Sequence, residues 1–178
     1  HELICIDTFT ETIHGNDSDN IAKFYSSIET VSYGNIDYYE DIYASSDVIF
    51  LLAAETGMGA SQYNNSLYCN TNILETSRIL DFLRKIESTA HLILPSSCRI
   101  YGEGTYICEE HGKFVPKGRD IADLKSGLWE VKCPQCSQVS TFKSNLCDQP
   151  VSATSTYAIT EYAQEALVLT NAKTASYD

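Results

Sequence analysis

The chain has 178 residues, of which 43% are hydrophobic and 20% are charged. This composition provides enough apolar side chains for a folded core and excludes a wholly disordered chain. Twenty-four acidic residues against 12 Lys and Arg give a net charge of −12, which argues against nucleic acid as a partner because a phosphate backbone is also negative.

Short apolar runs alternate with helical patterns along the chain, which predicts an α/β fold with a parallel sheet. The predicted strands are residues 3–6, 29–33, 47–54 and 91–94, and the third is the most strongly apolar. The predicted helices are residues 38–44, 70–86 and 155–170. Residues 8–20 are predicted to form a loop, whereas residues 21–28 fit a short helix and an extended insert equally well.

The two longer predicted helices each have an apolar face. In residues 70–86 this face consists of Ile73, Leu74, Ile79, Leu80 and Leu83. In residues 155–170 it consists of Ala158, Tyr162, Ala163 and Ala166.

The seven cysteines are an odd number, and no export signal is evident in the sequence. We therefore expect reduced thiols or metal ligands rather than a set of disulfide bonds, and a cytoplasmic location. The longest apolar run, residues 48–54, is too short to cross a bilayer, so no membrane partner is expected.

Residues 102–150 differ in composition from the rest of the chain, with three of its four Pro and four of its Cys, and are predicted to be a loop-rich insertion. Within them, Cys108-x-x-His111 and Cys133-x-x-Cys136 form two chelating pairs that suit tetrahedral Zn²⁺. Four protein ligands leave no open position, so such a zinc ion would be structural. Cys147 is a further candidate ligand. The alternative to a zinc site is a loose loop with ordinary thiols.

Three separated segments carry a resemblance to a known family. They are VIFLLAAETG at residues 48–57, SSCRIYG at 96–102 and TYAITEYAQE at 156–165. In this order they resemble the extended short-chain dehydrogenase/reductase family of NAD-dependent nucleotide-sugar epimerases and dehydratases. His14-Gly15, the loop at residues 55–59 and residues 129–136 resemble the subgroup of dTDP-L-rhamnose 4-epimerases and their relatives.

The resemblance implies a Rossmann-like NAD-binding core over residues 1–101, interrupted by the Cys/His insertion over 102–150 and resumed by a catalytic helix over 151–178. It implies a nucleotide-sugar substrate, NAD as cofactor and a homodimer. It also implies a hydride-transfer reaction in which a sugar hydroxyl carbon is oxidised and then re-reduced, or in which elimination follows.

By the same resemblance, Ser97 and Tyr157 match the catalytic Ser and Tyr of the family. A tyrosine held beside a second hydroxyl can take the proton of a sugar hydroxyl as the hydride leaves. Asp7 matches the acid that binds the adenosine ribose. The remaining cofactor-binding positions implied by the resemblance are Ala53, Ala54, Asn72 and Tyr157.

The sequence departs from the family pattern in several places. Glu161 occupies the position, four residues after Tyr157, where the family has Lys, and Glu75 replaces a usual Gly. None of the nine Gly belongs to a G-x-G-x-x-G turn. In dinucleotide-binding folds the acidic residue follows this turn by about 20 residues, so Asp7 would place the turn upstream of His1.

We therefore expect a partial chain that lacks the first βα unit and the C-terminal substrate domain. Its activity is in doubt because of Glu161. The alternatives are a non-catalytic remnant or partner subunit that retains the fold, and a zinc-mediated interaction module.

Overall fold

A computed structural model describes residues 3–7, 29–32, 39–144 and 149–173. The strands are β1 Ile4–Asp7, β2 Glu29–Ser32, β3 Val48–Phe50, β4 His91–Ile93, β5 Thr105–Cys108, β6 Gly112–Phe114 and β7 Thr141–Lys143. The α-helices are α1 Glu40–Ser45, α2 Met58–Ser61, α3 Asn65–Tyr68, α4 Thr76–Lys85, α5 Ile121–Lys125 and α6 Thr156–Ala172. A π-helical segment, Cys69–Glu75, precedes α4, and a 3₁₀-helix spans Cys98–Tyr101.

Several predictions concern residues outside these ranges. They are the loop at residues 8–20, the segment 21–28, His14-Gly15 and the spare ligand Cys147.

Two parallel strand pairs are described in the first half of the chain. β1 pairs with β2, with Ile4 opposite Glu29, and β3 pairs with β4, with Val48 opposite His91. The N–H of Leu51 donates to Ile93 O at 2.9 Å and extends the second ladder by one residue. The parallel pairing agrees with the predicted α/β fold, and all four strands lie where the sequence predicts them.

The prediction that residues 47–54 form a fully buried strand is wrong. β3 is three residues long, and Val48 and Phe50 are 45% and 60% exposed. Within the described residues β3 pairs along one edge only. An apolar parallel strand is normally flanked by a strand on each side, whereas the described residues provide β3 with one neighbour, β4.

The predicted helix over residues 70–86 is confirmed as the π-helical segment followed by α4. Ile79, Leu80 and Leu83 are buried as expected, but Leu74 is exposed. A π-helical turn contains an extra residue relative to an α-helical turn, so it rotates Leu74 away from the apolar face of α4.

The predicted helix over residues 155–170 is also confirmed, as α6, but one residue of its predicted apolar face, Tyr162, is not buried. Ala158 is buried as expected, whereas Tyr162 is exposed. The other buried residues of α6 are Thr160, Glu161, Gln164 and Val168. The buried face of α6 therefore includes polar residues, which hydrophobic periodicity does not identify.

The insertion at residues 102–150 is more regular than predicted. It contains an antiparallel sheet in the order β6-β5-β7, with Tyr106 opposite both Phe114 and Phe142. It also contains α5, whose N-cap Asp120 accepts hydrogen bonds from the N–H groups of Ala122 and Asp123. The strands are short and lie between turns, which hides their periodicity in the sequence.

The chain divides into two compact units. The unit that we call the sheet unit comprises His1–Ala53, Glu75–Leu94 and Val168–Asp178, and the site unit comprises Ala54–Leu74 and Pro95–Leu167. Each unit has its own buried residues, such as Leu80 and Leu83 in the first and Tyr68 and Asn72 in the second. Among the described residues, no helix has both the length and the apolar character needed to cross a lipid bilayer.

Candidate functional site

Asn72 joins two parts of the site unit that are distant in sequence. It is completely buried in the π-helical segment. Its Oδ1 accepts from Glu55 N–H at 2.7 Å, and its Nδ2 donates to Glu55 O at 3.1 Å and to Thr160 Oγ1 at 2.9 Å. Asn72 therefore fixes the loop that follows β3 against α6. Its side-chain amide is engaged within the protein, so it acts on the site through this loop.

Tyr157 lies in the first turn of α6, half-buried, with its ring edge-on to the ring of Tyr68 at 6.3 Å between centroids. Tyr68 is buried, and its hydroxyl donates to Thr56 O and, at 3.1 Å, to Gly57 O. Burial raises the pKa of Tyr68, and the neighbouring Glu55 and Tyr157 raise it further. Tyr68 is thus a neutral hydrogen-bond donor that connects the loop after β3 with Tyr157.

Ser97 is the N-cap of the 3₁₀-helix that follows β4. Its Oγ accepts a hydrogen bond of 3.3 Å from Arg99 N–H. The preceding residue, Ser96, donates from its hydroxyl to Glu165 Oε2 at 2.6 Å and so ties this segment to α6. The structure brings the segments of Ser97 and Tyr157 into the same unit. Within the described part of the chain, no hydrogen bond joins their two hydroxyls.

Glu161 is only 7% exposed and lies one helical turn after Tyr157. Burial raises the pKa of its carboxyl group above the usual range for Glu. In the described ranges, no hydrogen bond or ion pair reaches this carboxyl. Glu161 therefore supplies no cation beside Tyr157, where the family has Lys. Glu75, the other departure from the family pattern, forms an ion pair with Arg78 at 2.6 Å.

The remaining predicted cofactor positions are one strand end and a loop. Asp7 is the last residue of β1, opposite Ser32 of β2. Ala53 is exposed and Ala54 half-buried in the loop after β3. The position of Asp7 agrees with the sequence prediction, whereas the two alanines lie beyond the strand predicted to contain them. The roles of these residues toward a cofactor stay a prediction.

The four predicted metal ligands converge in the insertion. Cys108 Sγ lies 3.6 Å from His111 Nδ1 and 3.6 Å from Cys136 Sγ, and Cys133 Sγ lies 3.7 Å from His111 Nδ1. All four ligand atoms lie within 4.8 Å of one another. Ligand atoms about 2.0–2.3 Å from a tetrahedral zinc ion are separated by roughly 3.5–3.8 Å, so the cluster has the dimensions of a zinc site.

The surroundings of this cluster suit a metal as well. Cys108 and Cys133 are buried, Cys136 is half-buried and His111 is exposed. Burial alone would raise the pKa of Cys133, but backbone N–H groups of Cys136 and Gln135 stabilise its thiolate and lower the pKa to about 7. A thiolate is the form of cysteine that binds metals. The amides of this loop therefore favour the thiolate at Cys133, whereas burial and the neighbouring thiols of Cys108 and Cys133 raise the pKa of Cys136.

Sequence reasoning missed Tyr68 and Thr160. Tyr68 precedes Asn72 by four residues, a spacing that places two side chains on one helical face. Thr160 follows Tyr157 by three residues, and its hydroxyl donates to Tyr157 O at 2.9 Å. Only these spacings pointed to the two residues, because neither residue type is diagnostic by itself.

The sequence matches a family model and a curated protein. The model of the NAD dependent epimerase/dehydratase family matches residues 1–118. A dTDP-L-rhamnose 4-epimerase from Burkholderia thailandensis is 31% identical over 120 residues, which are 67% of this chain and 32% of that protein. The chain thus spans about a third of the length of this curated relative.

Solved structures of similar fold cover nearly the whole chain. A UDP-glucuronic acid 4-epimerase from Bacillus cereus, in complex with UDP-glucuronic acid and NAD, matches 97% of this chain and 44% of its own, with a TM-score of 0.64 and 17% identity. A double mutant of a dTDP-glucose 4,6-dehydratase from Streptomyces venezuelae, with NAD bound, matches 99% of this chain and 44% of its own, with a TM-score of 0.63 and 17% identity. These matches confirm the predicted Rossmann-like α/β fold.

Proposed function

Because the chain belongs to the NAD-dependent epimerase/dehydratase family, we propose that it is part of an enzyme that modifies a nucleotide-linked sugar. The family match over residues 1–118 is the observation that carries this proposal. The reaction would oxidise one hydroxyl carbon of the sugar by hydride transfer and then re-reduce it, or permit elimination. Similar proteins that bind or act on such sugars support the substrate class.

NAD, when bound, supplies the acceptor for the hydride. We assign its binding to Asp7, Ala53, Ala54, Asn72 and Tyr157. The carboxylate of Asp7 at a strand end suits the hydroxyls of a ribose. The small side chains of the two alanines leave the loop backbone accessible to a flat ring. Asn72 contributes by fixing that loop. A carboxylate that accepts hydrogen bonds and a loop with small side chains therefore fit a ribose and a nicotinamide ring.

In this proposal Tyr157 and Ser97 act on the reacting hydroxyl of the sugar. Tyr157 Oη takes its proton on oxidation and returns one on reduction, while Ser97 Oγ orients the same hydroxyl. Among the described residues, neither Tyr157 nor Ser97 donates its hydroxyl proton to an acceptor. Both hydroxyl groups are therefore available to a ligand, which supports the assignment.

Calorimetric titration of NAD into the purified protein tests the cofactor assignment. We expect Asp7→Asn to weaken NAD binding about tenfold, because hydrogen bonds to a charged group contribute about 1.5 kcal/mol or more. Asp81→Asn, a change of the same kind at an exposed residue of α4, should leave binding unchanged. Absence of NAD binding by the unaltered protein would refute the proposal, and equal effects of both substitutions would refute the role of Asp7.

A second candidate function is a non-catalytic subunit that retains the fold. The observation that favours it is Glu161, a buried acid where the family has a cation. Glu161→Lys discriminates between the two. If the protein is an impaired enzyme, this substitution should raise turnover of a nucleotide-linked sugar with NAD. A variant that stays inactive although it binds NAD would support the non-catalytic subunit.

We also propose that Cys108, His111, Cys133 and Cys136 hold one structural zinc ion. The separations of the ligand atoms, 3.6 to 3.7 Å for three of the pairs, support this site. Elemental analysis of the purified protein should give about one zinc per chain. Cys133→Ser should lose the metal, whereas Cys69→Ser, which changes an exposed cysteine elsewhere, should keep it. Protein without zinc, with all cysteines reactive, would refute the site.

Two further parts of the proposal concern assembly and location. We propose a homodimer formed through α6, which exposes Ile159, Tyr162 and Leu169. Sedimentation of the protein and of Ile159→Glu would test it, because a monomer in both cases contradicts a dimer through this helix.

The zinc site needs reduced thiols, which supports a cytoplasmic location.

A further inference from the structure

The insertion at residues 102–150 is closed at its base by contacts between its two ends. Ser152 N–H donates to Ile100 O at 2.8 Å, and the side-chain amide of Gln149 donates to the hydroxyl of Thr105. Gly102 comes so close that a Cβ there would lie 2.5 Å from Ser152 O, and its φ of +64° favours glycine. The entering and returning segments are thus joined backbone to backbone, at a place that we call the base.

Each candidate catalytic residue lies a few residues from this base. Ser97 caps the 3₁₀-helix that contains the buried Ile100. On the other side, Ser155 follows Ser152 by three residues, and its hydroxyl accepts a hydrogen bond of 3.1 Å from the first turn of α6. Tyr157 lies in that turn. Three residues span at most about 10 Å, so a displacement of the base is transmitted to both segments.

β5 connects the base with the metal cluster. Its first residue, Thr105, belongs to the base, and its last residue, Cys108, belongs to the cluster. β5 is the central strand of the antiparallel sheet and pairs with both β6 and β7. A four-residue strand with a neighbour on each side is a stiff link of about 10 Å, so the cluster and the base do not move independently.

The insertion has little apolar core to hold it together without a metal. Among its described residues, the buried apolar side chains are Cys108, Val131 and Cys133, and two of these belong to the cluster. Large apolar side chains are exposed instead, namely Val115, Ile121, Leu128, Trp129, Val139 and Phe142. A small lobe that buries so little apolar surface commonly depends on a metal for its fold.

We propose that metal binding by the cluster holds the base closed and thereby positions the segments that carry Ser97 and Tyr157. This inference rests on the proposed zinc site and on the proposed roles of these two residues. The cluster acts through β5 and the base. Its four residues are accordingly positioning residues and do not contact the reacting atoms.

Amide hydrogen exchange followed by mass spectrometry tests this coupling in the purified protein, with the zinc content measured on the same samples. After removal of zinc by a chelator, we expect exchange to accelerate about tenfold or more in peptides containing Gly102, Ser152 and the first turn of α6. Addition of zinc should restore protection. α4 should keep its protection throughout. Cys133→Ser should behave like the chelated protein, and Cys69→Ser like the untreated protein.

Other outcomes overturn the inference in distinguishable ways. If removal of zinc accelerates exchange only within residues 105–143, the base closes without the metal, and the zinc site alone stands. Equal acceleration in α4 means that the whole chain unfolds, so the specific coupling is wrong. Protein that binds no zinc overturns both the site and the inference. Because the experiment measures no turnover, a failure of the proposed enzymatic function does not affect its result.

Discussion

Replacement of Asn72 by Ala removes the three hydrogen bonds that join the loop after β3 to α6. The lost partners are Glu55 N–H, Glu55 O and Thr160 Oγ1, at 2.7, 3.1 and 2.9 Å from the amide. Asn72 is completely buried, and Thr160 is too, so water cannot simply replace the lost contacts. With about 1 kcal/mol for each bond and an added cost for buried groups left unpaired, Asn72→Ala should cost about 2–4 kcal/mol of unfolding free energy.

Urea unfolding followed by circular dichroism measures this loss. At a typical dependence of about 1–3 kcal/mol per molar urea, the midpoint should fall by about 1 M or more. Thr160→Val removes the last of these three bonds together with the bond from the Thr160 hydroxyl to Tyr157 O, and should cost about 1–2 kcal/mol. Asn64→Ala is the control, because the exposed Asn64 amide donates one hydrogen bond among the described residues, to Ala60 O at 3.2 Å. If Asn72→Ala unfolds at the same urea concentration as this control, the reasoning is refuted.

Three further substitutions have expected outcomes. The pKa of Glu161 is raised in the folded state, so its contribution to stability is present at low pH and is lost as pH rises through the folded pKa. Glu161→Gln should therefore raise the urea midpoint at neutral and higher pH, with the difference vanishing below the usual pKa of Glu. Gly102→Ala puts a Cβ 2.5 Å from Ser152 O at a φ of +64°, and should lower the unfolding free energy by about 1–3 kcal/mol. Gly59→Ala is the control, and should change the unfolding free energy little because the space around its Cβ is open. Tyr68→Phe should cost about 1–2 kcal/mol through the loss of its hydroxyl contacts, and an unchanged melting temperature would contradict that estimate.

Local patterns predicted the elements and the metal cluster well. The spacing of Cys108-x-x-His111 and Cys133-x-x-Cys136 was sufficient because each pair brings two ligands together within a single turn, whatever the rest of the fold does. The four parallel strands and the two long helices were located from their apolar runs and helical spacing, although the burial of β3 was not.

Features that depend on contacts distant in sequence could not be predicted in this way. The buried face of α6 is polar because Thr160 bonds with Asn72, 88 residues away. The exposure of Val48 and Phe50 depends on which strands flank β3, which its own residues do not encode. The sheet of the insertion has short strands whose alternation is obscured by turns.

The most direct test of the proposed function is turnover of a nucleotide-linked sugar with NAD by the purified protein and by two tyrosine variants. Tyr63 is 89% exposed and provides the matched control for Tyr157. The account predicts turnover that is unchanged in Tyr63→Phe and reduced about 100-fold or more in Tyr157→Phe, the range expected for loss of an acid–base group. Equal turnover in all three proteins would contradict the role of Tyr157. No turnover in the unaltered protein, and none in Glu161→Lys, would contradict the enzymatic function itself.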